Sequence, residues 1–291
     1  MSRYNSMFKR LRLTLEMIRF HHSIFALPYA VIGMFMAKKG FPPVTKIILI
    51  LIAMVSARSS AMIFNRVVDY DVDRINLRTK NWHLPTGKIS FQYAGLFITL
   101  MIIVFELSAS FLNPLAFYLS PIALIIILGY SLTKRFTYLT HIFLGLALGL
   151  APMGSWIGIR GSITLEPIVL MVSVIFWVAG FDILYSLQDY DFDVKMKLHS
   201  IPQKFGKEKG IKISRLFHLI YILLLFTLLF FKGYGFGIIY LIGVGIVIIT
   251  LLYEHSIVSP KDISRINEAF FTANGFASLI FMFFTVLDIL V

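Results

Sequence analysis

Nine apolar stretches constrain the fold of this chain more than any other feature. They lie near residues 22–38, 46–64, 91–110, 114–131, 138–158, 166–186, 214–231, 234–253 and 270–290. A transmembrane helix needs about 20 mostly apolar residues, and these stretches approach or reach that length. Only 14% of the 291 residues are charged, whereas soluble domains average about 25%. We therefore predict an all-α, polytopic membrane bundle of about nine transmembrane helices, which forms a single domain over residues 1–291.

The distribution of basic residues predicts how this bundle is oriented. If the N-terminus is cytoplasmic, 21 of the 27 Lys and Arg residues fall on the cytoplasmic side, five fall on the other side, and Arg58 lies within a span. Such an excess is typical of cytoplasmic loops. We predict a multi-pass protein of the cytoplasmic (inner) membrane. The net charge of +12 then reflects orientation and contact with anionic lipid rather than nucleic acid.

Two short acidic segments follow apolar stretches and resemble one another. The first is residues 65–73 and the second is residues 185–193, with Asp182 just upstream. Together they hold seven of the 15 acidic residues of the chain. Crowded carboxylates repel one another unless a cation holds them, and Mg²⁺ is commonly shared between carboxylates and the phosphates of a substrate. The segments therefore predict a magnesium site at the cytoplasmic membrane surface.

The positions of the two segments indicate an internal repeat. They end the second and the sixth apolar stretch, so they are four spans apart. An even offset means that both halves cross the membrane in the same direction, as in parallel repeats. We expect the two carboxylate clusters to face each other across one cavity on the cytoplasmic side.

Helical geometry selects the ligand candidates within each segment. If each span continues as a helix at about 100° per residue, four polar residues of each segment fall on one stripe. The stripes are Arg58, Asn65, Asp69 and Asp73, and Asp182, Tyr185, Asp189 and Asp193. Asp71 and Asp191 point away from the stripes, so we expect them to be solvated. The alternative is that all of these acids are loop carboxylates that offset nearby cations.

Several cations accompany the acids. Arg58 lies inside a span, where an ionised residue costs on the order of 2.5–3.5 kcal/mol. It should face a polar cavity and either bind an anion or pair with a stripe aspartate. Arg78 and Lys134 lie in the adjoining loops, and fixed cations beside a metal site predict diphosphate binding. Other basic residues nearby are interpreted as ordinary interfacial cations, namely Arg66, Arg74, Lys195 and Lys197. The seven histidines show no metal-binding spacing and are interpreted as packing residues.

Four motifs resemble those of the UbiA-type intramembrane prenyltransferases over nearly the whole chain. The first acidic segment matches N-x-x-x-D-x-x-x-D, and the second matches D-x-x-Y-x-x-x-D-x-x-x-D. Residues 78–87 resemble the R-T-x-x-R-x-L-P-x-G loop of that family, and residues 130–135 resemble its Y-x-x-x-K-R element.

This resemblance implies nine helices, a cavity open laterally to lipid, and Mg²⁺-dependent transfer of a polyprenyl group from its diphosphate. The implied ligands of Mg²⁺ and diphosphate are Asn65, Asp69, Asp73, Asp189 and Asp193. Arg58, Arg78 and Lys134 match the phosphate-binding cations of the family. Asp182 and Tyr185 would lie beside the reacting carbon, where they position the acceptor or take its proton.

Two departures from the family pattern concern the aromatic acid that accepts the prenyl group. Arg66 replaces an Asp that many members carry, and Trp82 replaces the second Arg of the R-T-x-x-R loop. Both resemble the branch that prenylates a dihydroxynaphthoate in menaquinone biosynthesis, which is commonly grouped with the 4-hydroxybenzoate polyprenyltransferases of ubiquinone biosynthesis.

The alternative hypothesis, from another functional class, is a membrane transporter with a magnesium or anion site at its repeat interface.

Overall fold

The computed structural model describes residues 13–14, 16–17, 25–231, 233–234 and 236–291. Among these residues the regular structure is entirely helical, with no strand. Eight helical segments within the described ranges are long and apolar enough to cross a membrane. The prediction of an all-α polytopic bundle is therefore confirmed.

The principal helices of the described residues, numbered in chain order, comprise nine that correspond to the apolar stretches of the sequence and three short helices between them. They are α1 (Leu27–Lys38), α2 (Val44–Val68), α3 (Tyr70–Asp73), α4 (Phe91–Leu112), α5 (Pro114–Gly129), α6 (Thr140–Arg160), α7 (Leu165–Ser186), α8 (Tyr190–Met196), α9 (Ile201–Phe205), α10 (Lys207–Leu228), α11 (Ile238–Ser256) and α12 (Asn274–Leu290). Tyr130–Arg135 and Leu187–Asp189 form 3₁₀ turns, and Glu268–Ala273 forms a turn of π-helix.

The first apolar stretch forms a shorter helix than the sequence predicts. The described helix α1 has 12 residues, too few to span a bilayer by itself. It ends at Lys39, which has a left-handed backbone with φ of 55°. Two prolines at positions 42 and 43 then precede α2, and proline cannot continue a helix ladder because it lacks the N–H group.

Aromatic side chains from α1, α7, α10 and α12 form the main core of the bundle. Tyr29, Trp177, Tyr221 and Phe281 are fully buried there. The hydroxyl groups of Tyr29 and Tyr221 share a hydrogen bond of 2.6 Å. In lipid, packing and such interhelical hydrogen bonds stabilise a bundle, because helix contacts there gain little from the hydrophobic effect.

Two glycines allow α6 and α7 to pack closely. Gly145 and Gly149 lie one helical turn apart and face α7. A Cβ atom at position 145 would lie 2.4 Å from the carbonyl oxygen of Ile175, and one at 149 would lie 2.9 Å from that of Met171. Small residues at this spacing allow helix backbones to approach in membranes. The contact matters for the site because these helices carry His141 and Asp182, respectively.

A buried polar network holds the π-helical turn. The indole N–H of Trp177 donates to the Asn274 side-chain oxygen at 2.9 Å. The amide of Asn274 donates to Glu254 and to the backbone oxygen of Ala269, both at 2.9 Å. A π-turn leaves a carbonyl without its usual partner, and π-turns are frequent near functional sites. This turn presents Phe270, whose ring stacks on Tyr185 with centroids 3.9 Å apart.

We predict that Gly145→Ala destabilises the bundle by about 1–3 kcal/mol, the usual cost of overpacking, because its methyl group meets backbone. Gly154→Ala in the same helix is the control. In the described structure nothing lies within 4 Å of a Cβ atom there, so this change should be neutral or stabilise by up to about 1 kcal/mol through helix propensity. Thermal unfolding in detergent measures both variants, and equal melting temperatures would contradict the packing model.

Candidate active site

The two acidic segments line one cavity of about 550 Å³. All ten residues that the sequence analysis predicts for the site line this cavity, namely Arg58, Asn65, Asp69, Asp73, Arg78, Lys134, Asp182, Tyr185, Asp189 and Asp193. The expectation that both clusters face one cavity is confirmed. The roles of the individual residues remain predictions.

The spans do not continue as unbroken helices into the acidic segments, so that assumption of the sequence analysis is wrong. Helix α2 ends at Val68, and Asp69 caps it with φ of −86° and ψ of 9°. The polar residues still lie on one stripe, because the backbone N–H of Asp69 donates to the backbone oxygen of Asn65 at 2.9 Å. The N–H of Asp73 likewise donates to Asp69 at 2.7 Å. These hydrogen bonds keep the four-residue spacing across the break.

The first segment pairs its polar residues with one another and with a loop cation. The side-chain amide of Asn65 donates to Asp69 at 3.0 Å. Asp69 lies 3.5 Å from the guanidinium of Arg135. Burial raises the pKa of Asp69, while Lys134, Arg135 and Arg66 oppose that rise.

Asp73 has the least exposed side chain among the three carboxylates of the first segment. Its oxygen Oδ2 is buried and has no hydrogen-bond partner in the described parts of the chain. The nearest cation is Arg66, at 3.9 Å. Burial raises the pKa of Asp73 to about 6, and the charge of Arg66 limits the rise. A buried carboxylate oxygen without a partner is costly, and a cation bound in the cavity would supply the missing partner.

The second segment is joined to the first half of the chain by a bidentate ion pair. Arg78 donates to the two carboxylate oxygens of Asp189 at 3.0 and 2.7 Å. The amide of Asn76 reaches the same carboxylate at 3.4 Å, and its oxygen accepts the backbone N–H of Arg78 at 2.9 Å. Two parallel charge-assisted hydrogen bonds fix geometry as well as contributing energy, so this pair fixes the loop after α3 over the cavity.

Lys134 forms an ion pair with Asp193, the last carboxylate of the second segment. Its ammonium lies 3.3 Å from Asp193, whose side chain is 1% exposed. The backbone oxygen of Lys134 accepts the N–H of His199 at 2.8 Å, which ties the 3₁₀ turn to the segment after α8. The family-like Y-x-x-x-K-R element thus faces the second acidic segment.

The two middle carboxylates are solvated, as the helical stripe predicts. The side chain of Asp71 is 82% exposed and lies 3.7 Å from Arg74. The side chain of Asp191 is 90% exposed and lies 4.0 Å from Lys207. Neither residue lines the cavity.

Arg58 faces the cavity within the membrane-spanning part of α2. Its Nε atom is buried and has no hydrogen-bond partner within the described ranges. The titratable side chain that interacts with it is Tyr130. The alternative of a structural ion pair with a stripe aspartate therefore receives no support, and the arrangement favours binding of an anion.

Arg66 is placed differently from the sequence expectation. It was interpreted as an ordinary interfacial cation, but it lines the cavity. Its guanidinium carbon lies 3.6 Å from the centroid of the Trp82 ring, a distance that favours a cation–π contact. The two departures from the family pattern therefore touch each other. Because both departures occur in the same sequence, a contact between Arg66 and Trp82 could have been predicted.

The sequence analysis did not assign three other residues near the carboxylates to the site. Arg135 contacts Asp69, Asn76 contacts Asp189, and His141 contacts Asp182 at 2.7 Å. Asn76 could have been found, because it lies one helical turn beyond Asp73. Arg135 belongs to the quoted Y-x-x-x-K-R element. The position of His141 depends on how α6 and α7 pack, which the sequence does not reveal.

The donor atoms of the site suit a hard divalent cation. Among the described residues, no three acidic or histidine side chains form a compact cluster that could hold a metal ion. The candidate ligands are nevertheless all oxygen donors of the kind that Mg²⁺ prefers. They include the buried Oδ2 of Asp73, which has no hydrogen-bond partner within the described ranges. The residues therefore fit a magnesium ion that is shared with a substrate's phosphates.

Comparison with known proteins identifies the family. The model of the UbiA prenyltransferase family matches residues 26–283. The chain belongs to the UbiA prenyltransferase family. It is therefore an enzyme, a multi-pass integral membrane prenyltransferase, and the transporter hypothesis is set aside.

UbiA relatives match the chain along most of its length. The 4-hydroxybenzoate octaprenyltransferase of Paraburkholderia phymatum is 27% identical over 263 residues, covering 88% of this chain and 89% of the relative. The enzyme of the same name from Francisella tularensis is 28% identical over 258 residues, with 88% and 87% covered.

Solved UbiA structures share the fold. A UbiA homologue from Aeropyrum pernix K1, in its apo form, superposes with a TM-score of 0.83 at 30% identity, covering 92% of this chain and 98% of that one. A UbiA homologue from Archaeoglobus fulgidus bound to GPP and Mg²⁺ superposes with a TM-score of 0.77 at 25% identity, with 95% and 99% covered.

Proposed function

We propose that this UbiA prenyltransferase transfers a polyprenyl group from polyprenyl diphosphate to an aromatic hydroxy acid, either 4-hydroxybenzoate or a dihydroxynaphthoate. The observation that carries the proposal is the single cavity in which two opposed carboxylate segments meet fixed cations. The names of the bacterial relatives support an aromatic acid as acceptor. The pathway would be ubiquinone or menaquinone biosynthesis.

We assign the diphosphate end of the cavity to Mg²⁺ and the two acidic segments. The residues that would hold Mg²⁺ and the diphosphate are Asn65, Asp69, Asp73, Asp189 and Asp193. When bound, the ion stabilises negative charge on the departing diphosphate. The Archaeoglobus fulgidus homologue bound to GPP and Mg²⁺ supports this assignment.

Arg78 and Lys134 contribute donors at the same end of the cavity. They now lie 2.7 and 3.3 Å from Asp189 and Asp193. If those carboxylates held a cation, the guanidinium and ammonium groups beside them would be placed to donate to diphosphate oxygens as well. Such preorganised donors stabilise the charge that develops as the allylic carbon–oxygen bond breaks.

The apolar part of the cavity suits the prenyl chain. Its walls include Leu119, Ile126 and Leu148, whose hydrocarbon side chains offer no lone pair that could trap an allylic cation. An apolar wall also excludes water, which would otherwise consume the cation by hydrolysis. Ring attack on the allylic carbon is then the productive outcome.

Arg58 completes the set of anion-binding residues. It lies seven residues before Asn65, about 10 Å deeper along the helix axis. Its unpartnered Nε fits an anionic group of a bound substrate. We retain the expectation from the family resemblance that Arg58 belongs to the diphosphate-binding cations.

Asp182 and Tyr185 are proposed to act on the acceptor ring. Both line the cavity, and the stack of Tyr185 on Phe270 fixes the tyrosine ring. They would orient the acceptor or take the proton that the ring releases.

The 21-to-five excess of basic residues on one side of the membrane favours a site that faces the cytoplasm, in the inner membrane of a bacterium.

We predict that alanine replacement of Asp69, Asp73, Asp189 or Asp193 removes most prenyl transfer while the protein still inserts into the membrane. Each change removes a proposed cation ligand. Asp71→Asn and Asp191→Asn are the matched controls and should be mild, because these side chains are solvated. Pyrophosphate release from a prenyl diphosphate measures the effect. Equal losses in the two sets would overturn the assignment of the ligands.

Magnesium affinity should fall as the pH falls through about 6. Burial raises the pKa of Asp73 to about 6, so below that pH its carboxyl is protonated and a proton competes with the cation. Magnesium titrations of activity at pH 5.5, 6.5 and 7.5 check this. Asp73→Asn should weaken binding and remove this component of the pH dependence. Full turnover after exhaustive chelation would contradict the magnesium site itself.

The acceptor is tested by offering membranes one prenyl diphosphate with either 4-hydroxybenzoate or a dihydroxynaphthoate. We expect a mass-shifted product, and we favour the naphthoate because Arg66 and Trp82 resemble that branch. Product from 4-hydroxybenzoate alone would overturn that preference and leave the reaction class intact. No product from either acid, with Mg²⁺ present and the protein folded, would refute the aromatic-acid proposal.

A further inference from the structure

His141 occupies a position that simple packing does not explain. It lies at the start of α6 and is fully buried. Its Nδ1 atom lies 2.7 Å from Oδ2 of Asp182 on α7. On the other side of the ring, the backbone N–H of Ile201 donates to Nε2 at 3.3 Å. One imidazole thus joins the proposed ring-acting carboxylate to the N-terminus of α9.

These two contacts determine the tautomer. Because the Ile201 N–H donates to Nε2, that nitrogen must carry a lone pair and no proton. A neutral imidazole then has its proton on Nδ1, and this N–H donates to Asp182. Protonation of both nitrogens would remove the acceptor for Ile201. His141 thus has its Nδ1 donor aimed at one carboxylate oxygen of Asp182.

The hydrogen bond leaves the two oxygens of Asp182 in different positions. Oδ2 is held by His141, whereas Oδ1 has no hydrogen-bond partner among the residues that the structure describes. The side chain is 21% exposed and lines the cavity. Oδ1 is thus the oxygen available to a substrate. A carboxylate fixed by a histidine N–H keeps one orientation, as metal-ligating side chains do when a neighbour holds them by a hydrogen bond.

We propose that His141 is a positioning residue that fixes Asp182 so that its oxygen Oδ1 receives the proton released by the acceptor ring. This inference rests on the proposed aromatic prenyl transfer. As the allylic carbon–oxygen bond breaks and diphosphate leaves, attack by the ring forms the new carbon–carbon bond and leaves a tetrahedral ring carbon that still carries its hydrogen. The C–H bond then breaks, its electron pair restores the aromatic ring, and the proton moves to Oδ1.

His141 itself does not receive that proton. Its Nε2 lone pair is occupied by the N–H of Ile201, and its Nδ1 already carries a proton. Its contribution is orientation, which sets the distance and angle between Oδ1 and the ring hydrogen. Loss of this orientation should slow the proton step without weakening the binding of prenyl diphosphate, since His141 is distinct from the residues assigned to that end.

The first test compares His141→Leu with His141→Asn, using acceptor deuterated at the ring position that reacts. Leucine removes the donor to Asp182. Asparagine places an amide N–H near the position of Nδ1 and retains it. We expect kcat of His141→Leu to fall about tenfold or more, the usual effect of losing a hydrogen-bond partner that orients a functional side chain. KM for prenyl diphosphate should stay unchanged, a primary isotope effect should appear on kcat, and His141→Asn should recover most of the rate.

The second test leaves the histidine in place and removes the hydrogen bond that fixes its tautomer. Ile201 is the first residue of α9, a position that tolerates proline because its N–H is not needed for the helix. Ile201→Pro removes the donor to Nε2. Ile201→Ala keeps the donor and loses a comparable amount of side chain. We expect a lower kcat and a larger isotope effect in the proline variant than in the alanine variant.

The outcomes separate this inference from the proposed function. Absence of product with the unaltered protein and either acceptor would count against the function. An active protein in which His141→Leu keeps the normal rate would overturn the role of His141. A His141→Asn variant that is as slow as His141→Leu, with both folded, would overturn it as well. Should His141→Leu not fold, equal rates and isotope effects in the two Ile201 variants would still overturn it.

Discussion

The site depends on the mutual attraction of carboxylates and cations across one cavity. The bidentate pair of Arg78 with Asp189 links the loop after α3 to the 3₁₀ turn that follows α7. Lys134 and Arg135, in one 3₁₀ turn, reach Asp193 and Asp69, which belong to the two different acidic segments. These contacts hold like charges close together in a partly buried place, where unpaired carboxylates would be costly. The same cations are then already positioned for an anionic substrate.

The membrane explains why the rest of the bundle is built as it is. Helices satisfy their own backbone groups in lipid, so spans follow the apolar stretches of the sequence. Close packing such as that of Gly145 against Ile175 then sets the relative positions of α6 and α7. The contact between His141 and Asp182 is a consequence of this packing. A change at a glycine far from the cations can therefore alter the geometry of the reacting end.

The two residues that depart from the family pattern, Arg66 and Trp82, are brought into contact by the tertiary structure. Arg66 and Trp82 lie 16 positions apart in the sequence, yet they stack with 3.6 Å between the guanidinium carbon and the ring centroid. The stack places a positive charge on the cavity wall and 3.9 Å from Asp73.

The sequence by itself determined the helical membrane architecture and the identity of the stripe carboxylates. Both follow from local periodicity, since apolar length sets a span and four-residue spacing places Asn65, Asp69 and Asp73 together even where the helix is interrupted. Periodicity also placed Asp71 and Asp191 in solvent. Only the tertiary structure decided which cation meets which carboxylate and which groups contact the two ring nitrogens of His141. Those features depend on helix contacts and on a backbone N–H from a distant element, and no local pattern encodes either of them.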